Sequence, residues 1–199
     1  MSHQTWLHRI VRPAVRPLVA TPVTPNHVTT LRLAAGLAAA AALAMPDPTA
    51  RGWGALLFLL SMLLDRADGE LARMSGKSTP WGHRYDLAVD TLCNALAFVG
   101  LGYGLRGGAF GAWAPLMGLL AGIAIAVILL IVLRVEARRG PRAGELTSRG
   151  GFDADDALLV LPVAVWGGLA EPLLLAAALG APVFALFMAL KFRGVLTAG

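Results

Sequence analysis

The chain has 199 residues, of which 57% are hydrophobic and 15% charged, and its mean hydropathy is +0.67. These values exclude an ordinary soluble domain and predict an all-α integral membrane protein, because the apolar stretches are long enough to span a bilayer. The net charge of +5 does not indicate nucleic-acid binding, because the basic residues lie in short segments beside apolar runs.

The first predicted element is a short amphipathic helix over residues 3–18, where apolar residues alternate at helical spacing with arginines. We expect this helix to lie in the membrane interface on the cytoplasmic face. A disordered basic tail is the alternative, because the segment is short and contains Pro13 and Pro17. The scattered arginines also predict that residues 1–22 contain no cleavable signal peptide.

Six membrane spans are predicted to follow within a single domain covering residues 1–199. They lie at about residues 29–45, 53–74, 82–104, 113–139, 153–169 and 172–192. Six spans place both termini on one side of the membrane. Only Arg51 and Arg106 of the 17 Lys and Arg residues fall on the other side. The positive-inside rule therefore predicts a multi-pass protein of the inner (cell) membrane with cytoplasmic termini.

Acidic residues are concentrated in the second and third predicted spans. Asp65 and Asp68 are three residues apart, and Asp86 and Asp90 are four apart, so each pair shares one helix face. Four carboxylates at membrane depth repel one another unless a cation neutralises them. An ion-pair network with Arg66, Arg73 and Arg84 is the alternative. The charge cost at this depth favours a metal site, and oxygen ligands favour Mg²⁺, Mn²⁺ or Ca²⁺ over zinc.

The spacing of this segment is specific. Asp65, Asp68-Gly69, Ala72-Arg73, Gly82, Asp86 and Asp90 stand at fixed intervals, and a Thr24-Pro25-Asn26-His27-Val28-Thr29 segment precedes the first span. Both segments resemble the CDP-alcohol phosphotransferase family. The rest of the chain matches that family mainly in hydropathy.

The resemblance implies roles for the aspartates. Asp65, Asp68, Asp86 and Asp90 would hold one or two divalent cations, Mg²⁺ or Mn²⁺, that bridge the CDP diphosphate. Asp90 would also act as the general base on the acceptor hydroxyl. Two such ions about 3.5 to 4 Å apart can clamp the attacking and leaving oxygens of a displacement at phosphorus. The resemblance also implies a homodimer.

Nucleotide binding is assigned to residues beside the aspartates. Gly69 and Gly82 would let a nucleotide lie against the backbone, although both could instead be helix-packing glycines. The resemblance implies that Gly69, Arg73 and Thr79 contact the CDP moiety. Thr24 and Asn26 have two open interpretations. They could contact the nucleotide, or they could form the turn and N-cap of the first span.

A glycine motif elsewhere does not indicate a dinucleotide site. Gly102, Gly104 and Gly107 form a GxGxxG pattern in GYGLRG. The pattern follows a predicted membrane helix and no predicted strand precedes it, so it lacks the structural context of a dinucleotide-binding loop.

The acceptor site is predicted from charges near the fourth and fifth spans. Arg134 and Arg138 favour a phosphorylated acceptor, such as glycerol 3-phosphate or inositol phosphate. Asp155 lies in an acidic segment that would instead favour an amine or a polyol, such as serine.

The predicted function is a phospholipid-biosynthetic transferase. It would move a phosphatidyl group from CDP-diacylglycerol to a small alcohol acceptor and release CMP, with membrane lipid around it and the site at the cytoplasmic face. One alternative is transfer of a phospho-alcohol from a CDP-alcohol to diacylglycerol, which the same motif serves. A different class is an ion-coupled transporter that uses intramembrane carboxylates, but such proteins distribute the site over two symmetric halves.

Overall fold

A computed structural model describes residues 6–140 and 158–196, with only the backbone described for residues 6–10. The described part is helical and contains no strand. The helices are α1 (Trp6–Val15), α2 (Pro25–Leu43), α3 (Pro48–Ser75), α4 (Pro80–Gly104), α5 (Trp113–Arg139), α6 (Val160–Trp166), α7 (Ala170–Lys191) and α8 (Arg193–Leu196), and a 3₁₀ turn over Arg16–Ala20 follows α1.

Three helices begin with the same short sequence pattern, an N-cap residue followed by proline. Thr24, Asp47 and Thr79 precede the prolines that start α2, α3 and α4. Proline suits the first helical position because its fixed φ is helical and the missing N–H would have had no partner there. Asp47 accepts a bond from the Ala50 amide at 2.8 Å. The sequence therefore encodes where these three helices begin.

Small residues let α2 pack closely against α4. A methyl group added at Gly100 would lie 2.3 Å from the Ala40 carbonyl oxygen, and one at Gly104 would lie 2.1 Å from that of Leu43. The α4–α5 contact is built similarly, because a methyl group at Gly102 would lie 2.5 Å from the Ala114 oxygen. Close backbone approach of this kind is the usual way in which membrane helices associate. Gly102 and Gly104 of the GxGxxG pattern are thus packing residues.

Three of the described helices are long and apolar enough to cross a membrane. They are α4, α5 and α7. The apolar windows of α5 and α7 are only 28% and 22% buried within the protein, which leaves wide apolar faces for lipid. The helices α2 and α3 do not meet the same criteria. In α3 most of the charged residues lie in the second half.

The predicted spans agree with the helices to different extents. The fourth prediction coincides with α5, and α2, α3, α4 and α7 each begin or end within a few residues of their predicted spans. The predicted fifth span is seen only as α6, because residues 141–157 lie outside the described part. The N-terminal segment is helical, and its Val11 and Val15 pack with Leu71 of α3. Its predicted place in the membrane interface stays a prediction.

Candidate active site

The aspartates of α3 and α4 come together as their spacing predicts. One carboxylate oxygen from each of Asp65, Asp68 and Asp86 lies within 4.8 Å of the others. Asp90, one turn after Asp86 on α4, is not part of this group of three. The three carboxylates are close enough to ligate one cation, and their all-oxygen donor set fits Mg²⁺ or Mn²⁺.

The three carboxylates differ in their surroundings. Asp68 is 3% exposed, and its Oδ2 accepts a hydrogen bond of 2.7 Å from the Thr29 hydroxyl of α2. The side chains of Asp65 and Asp86 are 20% and 34% exposed. Thr29 therefore orients the buried member of the group, while the other two remain accessible to a ligand.

Arg32 of α2 is a part of this site that the sequence analysis missed. Its Nη1 donates to Asp65 Oδ1 at 2.5 Å and to Asp86 Oδ1 at 3.1 Å, and its Nη2 donates to Asp90 Oδ1. The side chain is 3% exposed. The positive-inside rule explained this arginine as a topology signal. A better signal was available, because Thr29 and Arg32 are three residues apart and share one face of the predicted helix.

Two of the three arginines expected in an ion-pair network have acidic partners, namely Arg66 and Arg73. Arg66 Nη1 lies 3.5 Å from Asp65 Oδ2. Arg73 donates to Glu70, which also pairs with Arg12 of α1 at 3.4 Å. The ion-pair alternative is thus met in part, because Arg66 pairs with Asp65 and Arg32, which was not expected there, bonds to Asp65, Asp86 and Asp90.

A cavity of about 920 Å³ adjoins the aspartates. Its wall is formed by α2, α3, the loop after α3, α4 and α5. The polar and charged lining residues are Asn26, Thr29, Asp65, Arg66, Asp68, Arg73, Lys77, Ser78, Thr79, His83, Arg84, Asp86 and Glu136. The volume is at the upper end of the range for small-molecule sites, and the mixture of carboxylates and cations suits an anionic ligand that brings its own counter-cation.

Most of the predicted nucleotide residues line this cavity. Asn26, Gly69, Arg73, Thr79 and Gly82 do so. A methyl group added at Gly69 would have no atom within 4 Å, so the glycine faces open space rather than another helix. At Gly82 it would lie 2.9 Å from Asn26 Oδ1. The packing alternative therefore does not apply to Gly69.

Two predicted nucleotide residues also have structural roles. Thr79 Oγ1 accepts a bond of 2.9 Å from the Gly82 amide and so caps α4. Thr24 precedes α2, its amide donates to His27 Nδ1 at 3.3 Å, and it does not line the cavity. The N-cap interpretation of Thr24 thus agrees with the structure, and its contact with a nucleotide stays a prediction.

The predicted acceptor residues lie apart from the cavity or outside the described part. Arg134 is exposed on α5, Arg138 donates to the Val195 carbonyl, and neither lines the cavity. Asp155 falls among residues 141–157, outside the described part. On α5 the cavity is lined instead by Glu136, whose Oε2 lies 3.1 Å from His83 Nε2. This pair joins α4 to α5, and the sequence analysis did not identify it.

The profile of the CDP-alcohol phosphatidyltransferase family matches residues 22–191, which is most of the chain and includes every aspartate of the site. The chain belongs to this family. Relatives within it include the phosphatidylinositol phosphate synthases of Streptomyces avermitilis, 31% identical over 108 residues, and Corynebacterium glutamicum, 33% identical over 89 residues. These matches cover 53% and 45% of this chain but 42% and 40% of the relatives, so the alignment spans less than half of their length.

The fold is shared with a solved phosphatidylinositol phosphate synthase. The phosphatidylinositol phosphate synthase of Mycobacterium tuberculosis with CDP-DAG bound superposes with a TM-score of 0.69 at 23% identity, covering 95% of this chain and 94% of that one. The same protein in complex with manganese and citrate gives the same TM-score, with 94% and 89% covered. At this identity the likeness concerns the fold.

Proposed function

We propose that this chain transfers a phosphatidyl group from CDP-diacylglycerol to the hydroxyl of a small alcohol and releases CMP. The observation that carries the proposal is the meeting of Asp65, Asp68 and Asp86 beside a cavity lined with cationic side chains. Family membership favours this reaction over ion transport. The solved phosphatidylinositol phosphate synthase that contains CDP-DAG favours CDP-diacylglycerol as donor over the reverse arrangement, with a CDP-alcohol as donor.

Asp65, Asp68 and Asp86 would hold a divalent cation, Mg²⁺ or Mn²⁺. When bound, the cation supplies positive charge to the donor diphosphate and makes CMP a better leaving group. Arg73 and Lys77, both in the cavity wall, would bind phosphate oxygens. Gly69 leaves room for the nucleotide beside α3.

Asp90 is the proposed general base. Its Oδ1 accepts bonds from Arg32 and, at 3.0 Å, from Asn94, while its Oδ2 has no hydrogen-bond partner among the described residues. Oδ2 would take the proton of the acceptor hydroxyl. The acceptor oxygen then bonds to the phosphatidyl phosphorus, the bond from that phosphorus to the CMP oxygen breaks, and CMP leaves.

The acceptor is proposed to be phosphorylated, as the sequence indicates and as the names of the relatives support. Arg134, Arg138 and Asp155 remain the predicted acceptor residues. Arg84, which is exposed and lines the cavity, is a further candidate for binding the acceptor phosphate.

The proposed setting is the inner membrane, with six spans, α1 in the cytoplasmic interface, and the site and termini at the cytoplasmic face. A diacyl chain cannot leave hydrocarbon cheaply, at about 0.8 kcal/mol per CH₂, whereas the CDP group must stay near water. The donor would therefore enter from the side, and the site would open to both lipid and cytoplasm. The homodimer implied by the family resemblance is part of this proposal.

The proposal is tested by CMP release from CDP-diacylglycerol with glycerol 3-phosphate, inositol phosphate, inositol and serine as acceptors. We expect turnover with a phosphorylated acceptor that requires Mg²⁺ or Mn²⁺. Asp86→Asn should lower turnover by more than about 100-fold, because loss of a direct ligand should cost more than the 10- to 100-fold typical of residues behind the ligands. Asp47→Asn is the matched control, since asparagine also caps a helix. Full turnover in excess chelator would contradict the proposal.

A further inference from the structure

Glu70 of α3 is a buried acidic residue that lies outside the aspartate cluster. It does not line the cavity, whereas Gly69 before it and Arg73 one turn later both do. Glu70 Oε2 accepts a hydrogen bond from Arg73 Nη2, and Glu70 Oε1 lies 3.4 Å from Arg12 Nε of α1. Glu70 therefore contacts a residue of the cavity wall without being part of that wall.

The packing of α1 against α3 accounts for the burial of this carboxylate. Val11 and Val15 of α1 pack with Leu71, the residue that follows Glu70. The side chain of Glu70 is only 10% exposed as a result. A carboxylate shielded from water in this way is costly unless cationic partners compensate for its lost hydration. The burial of Glu70 thus requires the pairing that the structure shows.

The two arginines that pair with Glu70 differ in their surroundings. The side chain of Arg12 is 66% exposed, whereas that of Arg73 is 29% exposed and lines the cavity. A guanidinium has five N–H donors, so one group can bond to a carboxylate and to a phosphate oxygen at the same time. An arginine that is already held by a carboxylate loses less rotamer freedom when an anion binds to it. The contact with Glu70 therefore prepares Arg73 for phosphate.

We propose that Glu70 is a positioning residue that holds Arg73 toward the diphosphate of the donor. The inference rests on the proposed function, which assigns Arg73 to phosphate oxygens. Glu70 acts through Arg73 and touches no substrate itself. The alternative is that Glu70 only fastens α1 to α3 through Arg12, and its loss would then change stability without changing nucleotide affinity.

The test is binding of CDP to the purified protein in detergent with Mg²⁺, measured by isothermal titration calorimetry. Glu70→Met nearly keeps the length of the side chain and removes both acceptor oxygens. We expect it to raise the Kd for CDP about 3- to 10-fold, which corresponds to the cost of immobilising one flexible side chain on binding. The KM for CDP-diacylglycerol should rise by a similar factor with kcat little changed, because the ground state and the transition state lose the same interaction.

Two further variants separate positioning from a structural role. Arg12→Met is the matched control, because it removes the other partner of Glu70 and leaves the contact with Arg73 in place. Its Kd for CDP should equal that of the wild type. Arg73→Met should weaken CDP binding at least about tenfold, since it removes a hydrogen bond from a charged donor. Adding Glu70→Met to Arg73→Met should weaken CDP binding no further.

The outcomes distinguish this inference from the proposed function. An unchanged Kd in Glu70→Met, equal losses in Glu70→Met and Arg12→Met, or a further loss in the double variant would overturn the role of Glu70 alone. If Glu70→Met does not fold, Glu70→Gln, which keeps the shape and loses the charge, replaces it in the same measurements. A wild-type protein that binds no CDP would remove the nucleotide site of the proposed function as well.

Discussion

Gly69 illustrates how a single residue can report on the ligand rather than on the fold. It lies inside α3, yet a methyl group there would meet no atom within 4 Å. Glycine in a helix interior costs about 1 kcal/mol relative to alanine, so the protein gives up stability at this position. The open space beside it belongs to the cavity that also contains the aspartates. This combination supports contact between a nucleotide and the α3 backbone.

Gly69→Ala should therefore raise the thermal stability of the substrate-free protein slightly while raising the KM for CDP-diacylglycerol at least about tenfold. The stability gain follows from helix propensity, and the loss of affinity follows from a methyl group in the nucleotide position. Unfolding in detergent and initial rates of CMP release measure the two effects. Gly180→Ala is the control, because Gly180 lies within α7, also has open space around it and should gain stability without a change in KM. An unchanged KM for Gly69→Ala would contradict the assigned nucleotide position.

At the scale of elements, contacts of α2 with α3 and α4 hold the site together. α2 supplies Thr29 and Arg32, which reach aspartates on both neighbouring helices. Farther along, the backbones of α2 and α4 approach each other at Gly100 and Gly104. Because the helices are rigid, this packing sets the positions of Thr29 and Arg32 relative to the carboxylates.

Gly100→Ala should thus impair both stability and metal binding, although Gly100 lies more than two turns from Asp90. The added methyl group would lie 2.3 Å from the Ala40 oxygen, a backbone atom that can move only if the helix moves. Overpacking of this kind typically costs about 1 to 3 kcal/mol. We expect a lower unfolding temperature in detergent and weaker Mn²⁺ binding, compared with Gly180→Ala. Wild-type values for both would show that α2 and α4 tolerate a wider separation.

At the scale of the whole molecule, the charge asymmetry predicts the orientation. Fifteen of the 17 basic residues fall on the side that carries the aspartates, if the six predicted spans are formed. The exposed apolar faces of α5 and α7 are suited to contact with lipid. The loop that contains Lys77 and Ser78 would then face the cytoplasm, and the loop that contains Gly107 would face the opposite side.

Labelling of introduced cysteines tests this orientation. The one native cysteine, Cys93, is 1% exposed, so the unmodified protein should react little with a membrane-impermeant maleimide. In intact cells we expect Gly107→Cys to be labelled and Ser78→Cys to be protected until the membrane is opened. The reverse pattern would place the site outside, and equal labelling of both before lysis would contradict an odd number of crossings between them.

Most of the helices, the pairing of aspartates on two helix faces, and the family could be predicted from the sequence. These features depend on spacings of three to four residues and on caps such as Asp47-Pro48, which act within one or two turns. The exposure of Gly69 to a cavity was also within reach of the sequence, because the family pattern assigned it to the nucleotide.

The contact between Arg32 and the carboxylates could be seen only in the folded protein. Arg32 precedes Asp65 by 33 residues and Asp90 by 58, and no local pattern connects residues so far apart. In the sequence it was one of many basic residues that the positive-inside rule explains. Its contacts emerged because the close packing of α2, α3 and α4 brings a buried guanidinium, which must be paired, next to carboxylates of two other helices.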